Sequence, residues 1–350
     1  MEIFDLIPPA ELTGFSRETL ADRPINQFRL SEDLPDDTID DLVYRFTRGG
    51  GGLVQAASFR TFDTEPGFGA RKAVSRVTGE LPPIARQMLL DEYHQLRNRG
   101  TQNNPALERA LEDDAAQLTR SIDARLELAR GQALVESKVQ LAENGVAAEV
   151  NFGRKGSHTA VAGTSWADPN APMMQDIDAW MQTYSDTNGD LPGKTLTTLK
   201  VMQQMKRNKQ MLRLRYPTIA DPSDLRLQQN DIDEIFRNEG WPAPRLYDAK
   251  VVNPAGQTQR VIKQGAFLLL PTPGDGLDGS TRMGATLWGT TLEAQEPEYG
   301  IEEGDLPGIV VGAFKQKTTP IQVVTIASAI AIPILGDPDL SFCADTGVRD

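Results

Sequence analysis

The stretch from Asn104 to Leu141 constrains this chain more than any other. Asn104 is a favourable helix N-cap, and Pro105 falls at the first helical position, where proline is tolerated. From there to Asn144 there is no further proline and only one glycine, Gly131. Leu107, Leu111, Ala115, Leu118, Ile122, Leu126, Ala129 and Ala133 recur at intervals of three and four, which is one apolar stripe on one helix. Glu108, Glu112, Asp113, Arg120, Asp123, Arg125, Glu127 and Arg130 fill the other faces, and Asn144-Gly145 supplies a left-handed stop. Such a helix is about 55 Å long, more than a compact domain needs. A coiled coil and an ordinary core helix are the alternatives. Because short strand-like segments follow at once, the expectation is a single helix lying across a sheet in an elongated subunit.

The length of 350 residues leaves room for two or three domains. A net charge of −13 argues against a broad nucleic-acid-binding surface. With one cysteine, Cys343, an internal disulfide and a cysteine-ligated metal cluster are excluded. Met1-Glu2-Ile3-Phe4-Asp5 is acidic and unlike a signal peptide. The apolar run from Ile321 to Leu335 is broken by Gln322, Thr325, Ser328 and Pro333 and is too short to span a bilayer. The chain reads as soluble and made in a reducing compartment.

Taken in order, residues 1–41 read as an extended arm with 11 acids against 3 bases, anchored by scattered apolar residues. Residues 42–80 read as a projecting two-stranded loop carrying Arg45, Arg48, Arg60, Arg71, Lys72 and Arg76 against Asp63 and Glu65. Such a loop has little core of its own and needs a partner surface. A short helix is expected over Ile84–Asn98, and a hairpin over Val146–Phe152 and His158–Ala162. A helix with Met173, Ile177, Trp180, Met181 and Tyr184 follows Asp168-Pro169, then a basic helix over Thr195–Leu212 and one capped by Asn230. Leu246–Val252 and Val261–Leu270 read as paired antiparallel strands; Arg282–Thr291, Ile309–Phe314 and Ile321–Leu335 read as further strands, with Pro333 marking where pairing stops. The class is α+β.

The motifs that could carry chemistry are weak. Asn188 to Thr195 is a near-miss to a phosphate-binding loop, with Asn188 at the first glycine position and no strand before it, so a capping turn is preferred. Asp186, Asn188 and Asp190 imitate a calcium loop, but Leu191 and Thr197 occupy its required glycine and glutamate positions. His94 and His158 are the only histidines and make no metal-binding pair; His158 is expected to decorate a hairpin. Cys343 reads as a small packed residue, and the basic helix as a solvated face or one meeting an acidic partner. No catalytic residue, cofactor or metal is assigned.

The order of parts resembles the major capsid proteins of tailed bacteriophages with the Hong Kong 97-type fold, and within them the lambda-like major capsid protein E family. The residues that carry the resemblance are Glu149 to Arg154, Gly163-Thr164-Ser165-Trp166, Asp168-Pro169 and Asp176 to Trp180; at the end come Pro320, Ala331 to Leu335 and Asp337-Pro338. Ser58 to Glu65 and Gly79 to Pro83 look like the extended loop of the family. The resemblance implies an N-terminal arm at 1–41, an extended loop at 42–80, a peripheral domain at 81–219 with a spine helix at 104–143, an axial domain at 220–319, and a return to the peripheral domain at 320–350. Leu107, Leu111, Leu118 and Ile122 would be the structural spine, and Arg45, Arg48, Arg60, Arg71, Lys72 and Arg76 would make contacts between subunits. It implies a shell protein rather than an enzyme, located in the virion and assembled in the bacterial cytoplasm. Its partners would be further copies in hexamers and pentamers, a portal, a scaffold, a cement or decoration protein, and double-stranded DNA held nonspecifically, with no membrane. An encapsulin-like compartment shell and, further off, a hydrolase with an unrecognised site are the alternative readings.

Overall fold

The computed structural model describes residues 7–21, 28–48, 75–90, 92, 105–143, 146–219, 221, 224–253, 256–274, 283–302, 307–316, 318–319 and 321–349. The arm opens with a helix, α1 (Pro9–Ala21), where an extended segment was expected. Pro9 is its first residue and Glu11 lies in its first turn, so the Pro8-Pro9 pair starts a helix instead of preventing one. Strands β1 (Asp36–Thr38), β2 (Val43–Arg48), β3 (Ser75–Glu80) and β4 (Pro83–Leu90) follow. β4 replaces the helix expected from Ile84: its residues pair from Pro83 to Leu90 with the apolar C-terminal strand, and that tertiary pairing decides an ambiguous pattern.

The long helix α2 spans Pro105–Glu136. It stops short of the expected end because Ser137 adopts a left-handed φ of 53°, after which β5 (Lys138–Glu143) pairs with β6 (Val146–Asn151). Asn144-Gly145 lies between those strands, outside the described residues. β7 (Thr159–Val161) does not close a hairpin with β6 but runs parallel to a distant strand near the C-terminus.

The second half of the chain contains α3 (Met173–Asn188), β8 (Lys194–Thr197), α4 (Leu199–Met205), α5 (Lys209–Arg215), α6 (Gln229–Asn238), β9 (Pro244–Leu246), β10 (Lys250–Val252), β11 (Thr258–Arg260) and β12 (Ala266–Leu270). Then come β13 (Gly284–Gly289), α7 (Leu292–Gln295), β14 (Val310–Gln316), β15 (Gln322–Leu335) and β16 (Phe342–Asp345). The basic helix expected from Thr195 is thus a strand and two short helices. Asn208 divides the helices, its side chain accepting from the main-chain N–H groups of Gln210 and Met211. The helix expected to be capped by Asn230 begins at Gln229, with Gln228 and Asp231 forming a reciprocal cap. The two antiparallel strands expected over 246–270 resolve into the β10–β11 hairpin and a separate β12, divided by Gly265 at φ 82°.

There are two principal sheets. One has the order β1-β13-β15-β14, with β4 also on β15; the other has the order β7-β16-β12-β8-β9. Pairing on β15 runs past Pro333, which lies opposite Thr286, to Leu335 opposite Gly284, so the proline does not end it. The membership of the two sheets does not follow chain order. Strands at 159–161 and 194–197 share a sheet with 266–270 and with the C-terminal 342–345, whereas 284–289 and 310–316 belong with 83–90 and 322–335.

The apolar stripe of α2 serves both sheets. Leu111, Ala115, Leu118, Ile122 and Leu126 are buried against β14, β15 and α1, and Leu107 packs at the edge of the same core. Further along, Ala129, Ala133 and Leu134 lie in a core shared with Leu196 and Leu268 of the second sheet and Ile332 and Leu335 of the first. Strand alternation explains why β12 is buried on both faces: Leu268 and Leu270 face α2, while Phe267 and Leu269 face a third core under α3–α6. Gly131, the one glycine in α2, lies where the helix meets the loop after β11; a Cβ there would sit 2.3 Å from the Val261 carbonyl oxygen.

Candidate assembly surface

The β2–β3 ladder of six residue pairs, Val43 opposite Glu80 to Arg48 opposite Ser75, is the stem of the projecting loop, about 20 Å long. Its root is fixed by the Leu81 N–H donating to the Leu42 carbonyl at 2.9 Å and by Tyr44, whose buried ring lies over Gly79. Any side chain at 79 would occupy the space of the Tyr44 hydroxyl, which explains the glycine. Burial pushes the Tyr44 phenol above its ordinary range. Above this root, the described ladder is two-stranded.

Of the six basic residues expected to meet a neighbour, Arg45, Arg48 and Arg76 lie on this stem, with Arg45 opposite Thr78, Arg76 opposite Thr47 and Arg48 opposite Ser75. Arg45 is exposed and 3.9 Å from exposed Asp41. Arg60, Arg71 and Lys72 lie outside the described residues. Two clefts flank the root. One, of about 370 Å³, is bounded by Ile39, Val43, Tyr44, Leu287 and Ile334. The other, of about 150 Å³, is bounded by Pro83, Leu126, Val139, Ile332 and Arg125.

Two acids of the arm are held within the chain itself. Asp33, 2 % exposed, accepts from the Lys194 ammonium at 2.8 Å, which places the lysine of the near-miss phosphate loop in a structural ion pair. Asp36 accepts from Arg130 at 2.8 Å. Arg130 is itself buried, bonding Thr286 Oγ1 at 2.9 Å and lying 3.3 Å from Glu127. Glu127 in turn accepts from the Leu30 N–H at 2.9 Å and from the Tyr247 hydroxyl at 2.5 Å. Burial, then the neighbouring Glu127 charge, keeps that phenol protonated far above its ordinary range. A carboxylate and a guanidinium taken out of water need this many partners to be tolerated. Asp123, Glu127 and Arg130, which the sequence places on the faces beside the apolar stripe, are all buried. Their spacing of four and three residues, with opposite signs, was the available signal.

The segment Glu149 to Arg154 finds its reason at the end of α2. Arg154 donates to the carbonyls of Leu134 and Val135 at 2.8 and 2.6 Å, satisfying groups that the last helical turn leaves open. Trp166 stacks on Trp180 with ring centroids 5.3 Å apart, and its indole N–H donates to Asp176 at 2.8 Å. His158 is buried, not decorative. Its Nε2 lies 2.9 Å from Thr187 Oγ1, its Nδ1 lies 3.3 Å from the Ser341 carbonyl, and burial holds its pKa below the ordinary value. Cys343 is buried and its thiol is pushed up to about 11 by that burial, which makes it a poor nucleophile at neutral pH. These groups serve packing, and the surface left for function is the stem, its root clefts and the outer faces of the sheets.

A family model described as phage major capsid protein E matches residues 46–332. A protein described as a prophage capsid protein from E. coli CFT073 is similar in structure, with a TM-score of 0.64 at 11% identity, over 99% of this chain and 99% of that one. A phage-related protein from Bordetella bronchiseptica RB50 gives 0.60 at 12% identity, over 95% of this chain and 96% of that one. Identities this low speak to the fold alone. No curated protein sequence matches the chain.

Proposed function

This chain belongs to the phage major capsid protein E family, and we propose that it is the head-shell subunit of a tailed double-stranded DNA bacteriophage, self-assembling as hexamers and pentamers of an icosahedral shell around the genome. Membership over residues 46–332, together with the fold shared with a prophage capsid protein, is the observation that carries this reading. The role is structural. The first sheet with α2 and α1 serves as the peripheral domain, and the second sheet with α3–α6 serves as the axial domain near the capsomer centres. The stem of the extended loop reaches a neighbouring subunit, because an isolated two-stranded ladder is marginal in water and gains stability only by packing on something else. Arg45, Arg48, Arg60, Arg71, Lys72 and Arg76 then supply contact charges between subunits, while Asp33 and Asp36 hold the arm inside its own subunit. A portal, a scaffold and a cement protein complete the particle, which assembles in the host cytoplasm and retains DNA without sequence preference.

Electron microscopy of the expressed, purified chain tests the reading. Closed or tubular shells are expected. A species that remains monomeric across protein concentration and ionic strength would overturn it, and particles enclosing a protein cargo in place of nucleic acid would point to a compartment shell.

A further inference from the structure

Strand β14 is an edge of the first sheet: β15 pairs with one side of it. On the other side lies a helix. Thr13 of α1 accepts from the Val311 N–H at 3.1 Å and donates to the Val311 carbonyl at 3.1 Å, so one hydroxyl meets both outward main-chain groups of one residue. That is the service a neighbouring strand would perform. One turn further along α1, Arg17 donates to the carbonyls of Ile309 at 3.1 Å and Pro307 at 3.3 Å. Gly308 between them has φ 122°, and a Cβ there would sit 3.2 Å from the Arg17 guanidinium. Thr13 and Leu12 are buried, 3 % and 1 % exposed, and Leu12 shares a core with Val311 and Ala313. The helix is therefore seated on the edge by apolar contact and matched to it by polar groups.

The alternation of an antiparallel ladder turns residues 311, 313 and 315 the same way, outward from β15. α1 covers Val311; among the described residues nothing bonds the outward main-chain groups of Ala313 and Lys315. Phe314 and Lys315 are exposed on that open half. An uncovered edge of this kind is a template for strands of other molecules, and an exposed lysine is a common way of blunting it.

We propose that α1 is an edge guard: it occupies the place of a strand on β14 and so prevents that edge from pairing with β-strands of other copies of the chain. The guard acts through the Thr13 hydroxyl and the Arg17 guanidinium, and the exposed Lys315 protects the remainder. Without the guard the open edge lengthens from Lys315 back through Val311 to Ile309, long enough to register an incoming strand.

The test uses the full chain and three variants. Thr13→Val keeps the side-chain shape and removes the hydroxyl; Thr13→Ser keeps the hydroxyl. The double variant Thr13→Val with Lys315→Pro adds a proline where the outward N–H would donate to a foreign strand, a position edge strands tolerate. Thr13→Val is expected to replace the discrete species in sedimentation velocity by heterogeneous aggregate, with a severalfold rise in thioflavin T fluorescence. Thr13→Ser is expected to behave as the unaltered chain, and the double variant to recover the discrete species. A merely structural role would lower the melting temperature of Thr13→Val without the dye signal, and Lys315→Pro would not rescue it; either result overturns the proposal. Should Thr13→Val fail to fold by circular dichroism, Arg17→Met opens the Ile309 end alone and carries the same expectation, rescue and refutation.

Discussion

The Arg154 guanidinium caps the long helix at Leu134, donating to that carbonyl at 2.8 Å from a loop 20 residues downstream. A cation at a helix C-terminus also meets the favourable end of the helix dipole. Replacing Arg154 by Met removes both effects and leaves the Leu134 and Val135 carbonyls without this donor. The expected loss is about 2–4 kcal/mol, read as a lower urea midpoint with unchanged slope. Arg154→Lys should recover only part of it, because an ammonium lacks the planar fork that spans two carbonyls.

Gly131→Ala should destabilise, against the usual trend. In a free helix that change gains about 1 kcal/mol. Here the added methyl would lie 2.3 Å from the Val261 carbonyl oxygen and 2.7 Å from Val261 Cγ1. The loop must shift, and overpacking of this kind costs about 1–3 kcal/mol. A melting temperature equal to or above that of the unaltered chain would show that the helix and the loop after β11 are not in contact.

Burial lowers the pKa of His158, so the folded subunit holds it neutral more firmly than the unfolded chain does. Between its folded pKa and the ordinary value of about 6.5, the unfolded chain binds more protons. This contribution to stability is intact above about pH 6.5 and is lost as pH falls through the folded pKa. Urea midpoints across pH 5–8 should show that loss, and His158→Gln should flatten that part of the profile. A variant whose pH profile parallels that of the unaltered chain would assign the acid sensitivity to other groups.

Reversal of charge on the loop separates assembly from folding. Changing Arg71, Lys72 and Arg76 together to Glu should leave the far-ultraviolet circular dichroism of the subunit unchanged. Shell yield by sedimentation should fall at low salt and recover as salt screens the new repulsion. Each exposed pair contributes only about 0–1 kcal/mol, but a shell repeats the contact at every boundary. Normal yield at low salt would remove these charges from the assembly contact.

The stripe from Leu107 to Ala133 was legible because a 3.6-residue period survives whatever covers it. The C-terminal strand was legible too, since β-branched runs with no helical break have few alternatives. The motif residues Trp166 and Trp180, packed in the core beside the second sheet, were visible without their purpose. What escaped was set by distant partners. Glu127 and Arg130 look solvated until Tyr247, Asp36 and Thr286 close over them, 156 residues away in the last case. β4 looked helical because Ile84 and Met88, four residues apart, fit both periods, and only its pairing with β15 decides. The loop charges could be counted from the sequence, yet which acids remained for a neighbour depended on Lys194 and Arg130 having already taken two of them.

β15 bonds to β4, β13 and β14 and underlies α2, yet it is made long after that helix. At about 5–20 residues per second, translation leaves the finished helix waiting roughly ten to forty seconds for the strand that covers its stripe. Over that interval the first sheet lacks its central member. The delay acts as a timer: a chain interrupted before Leu335 lacks the strand that covers the helix's stripe and is left with bare apolar surface for chaperones and proteases to find.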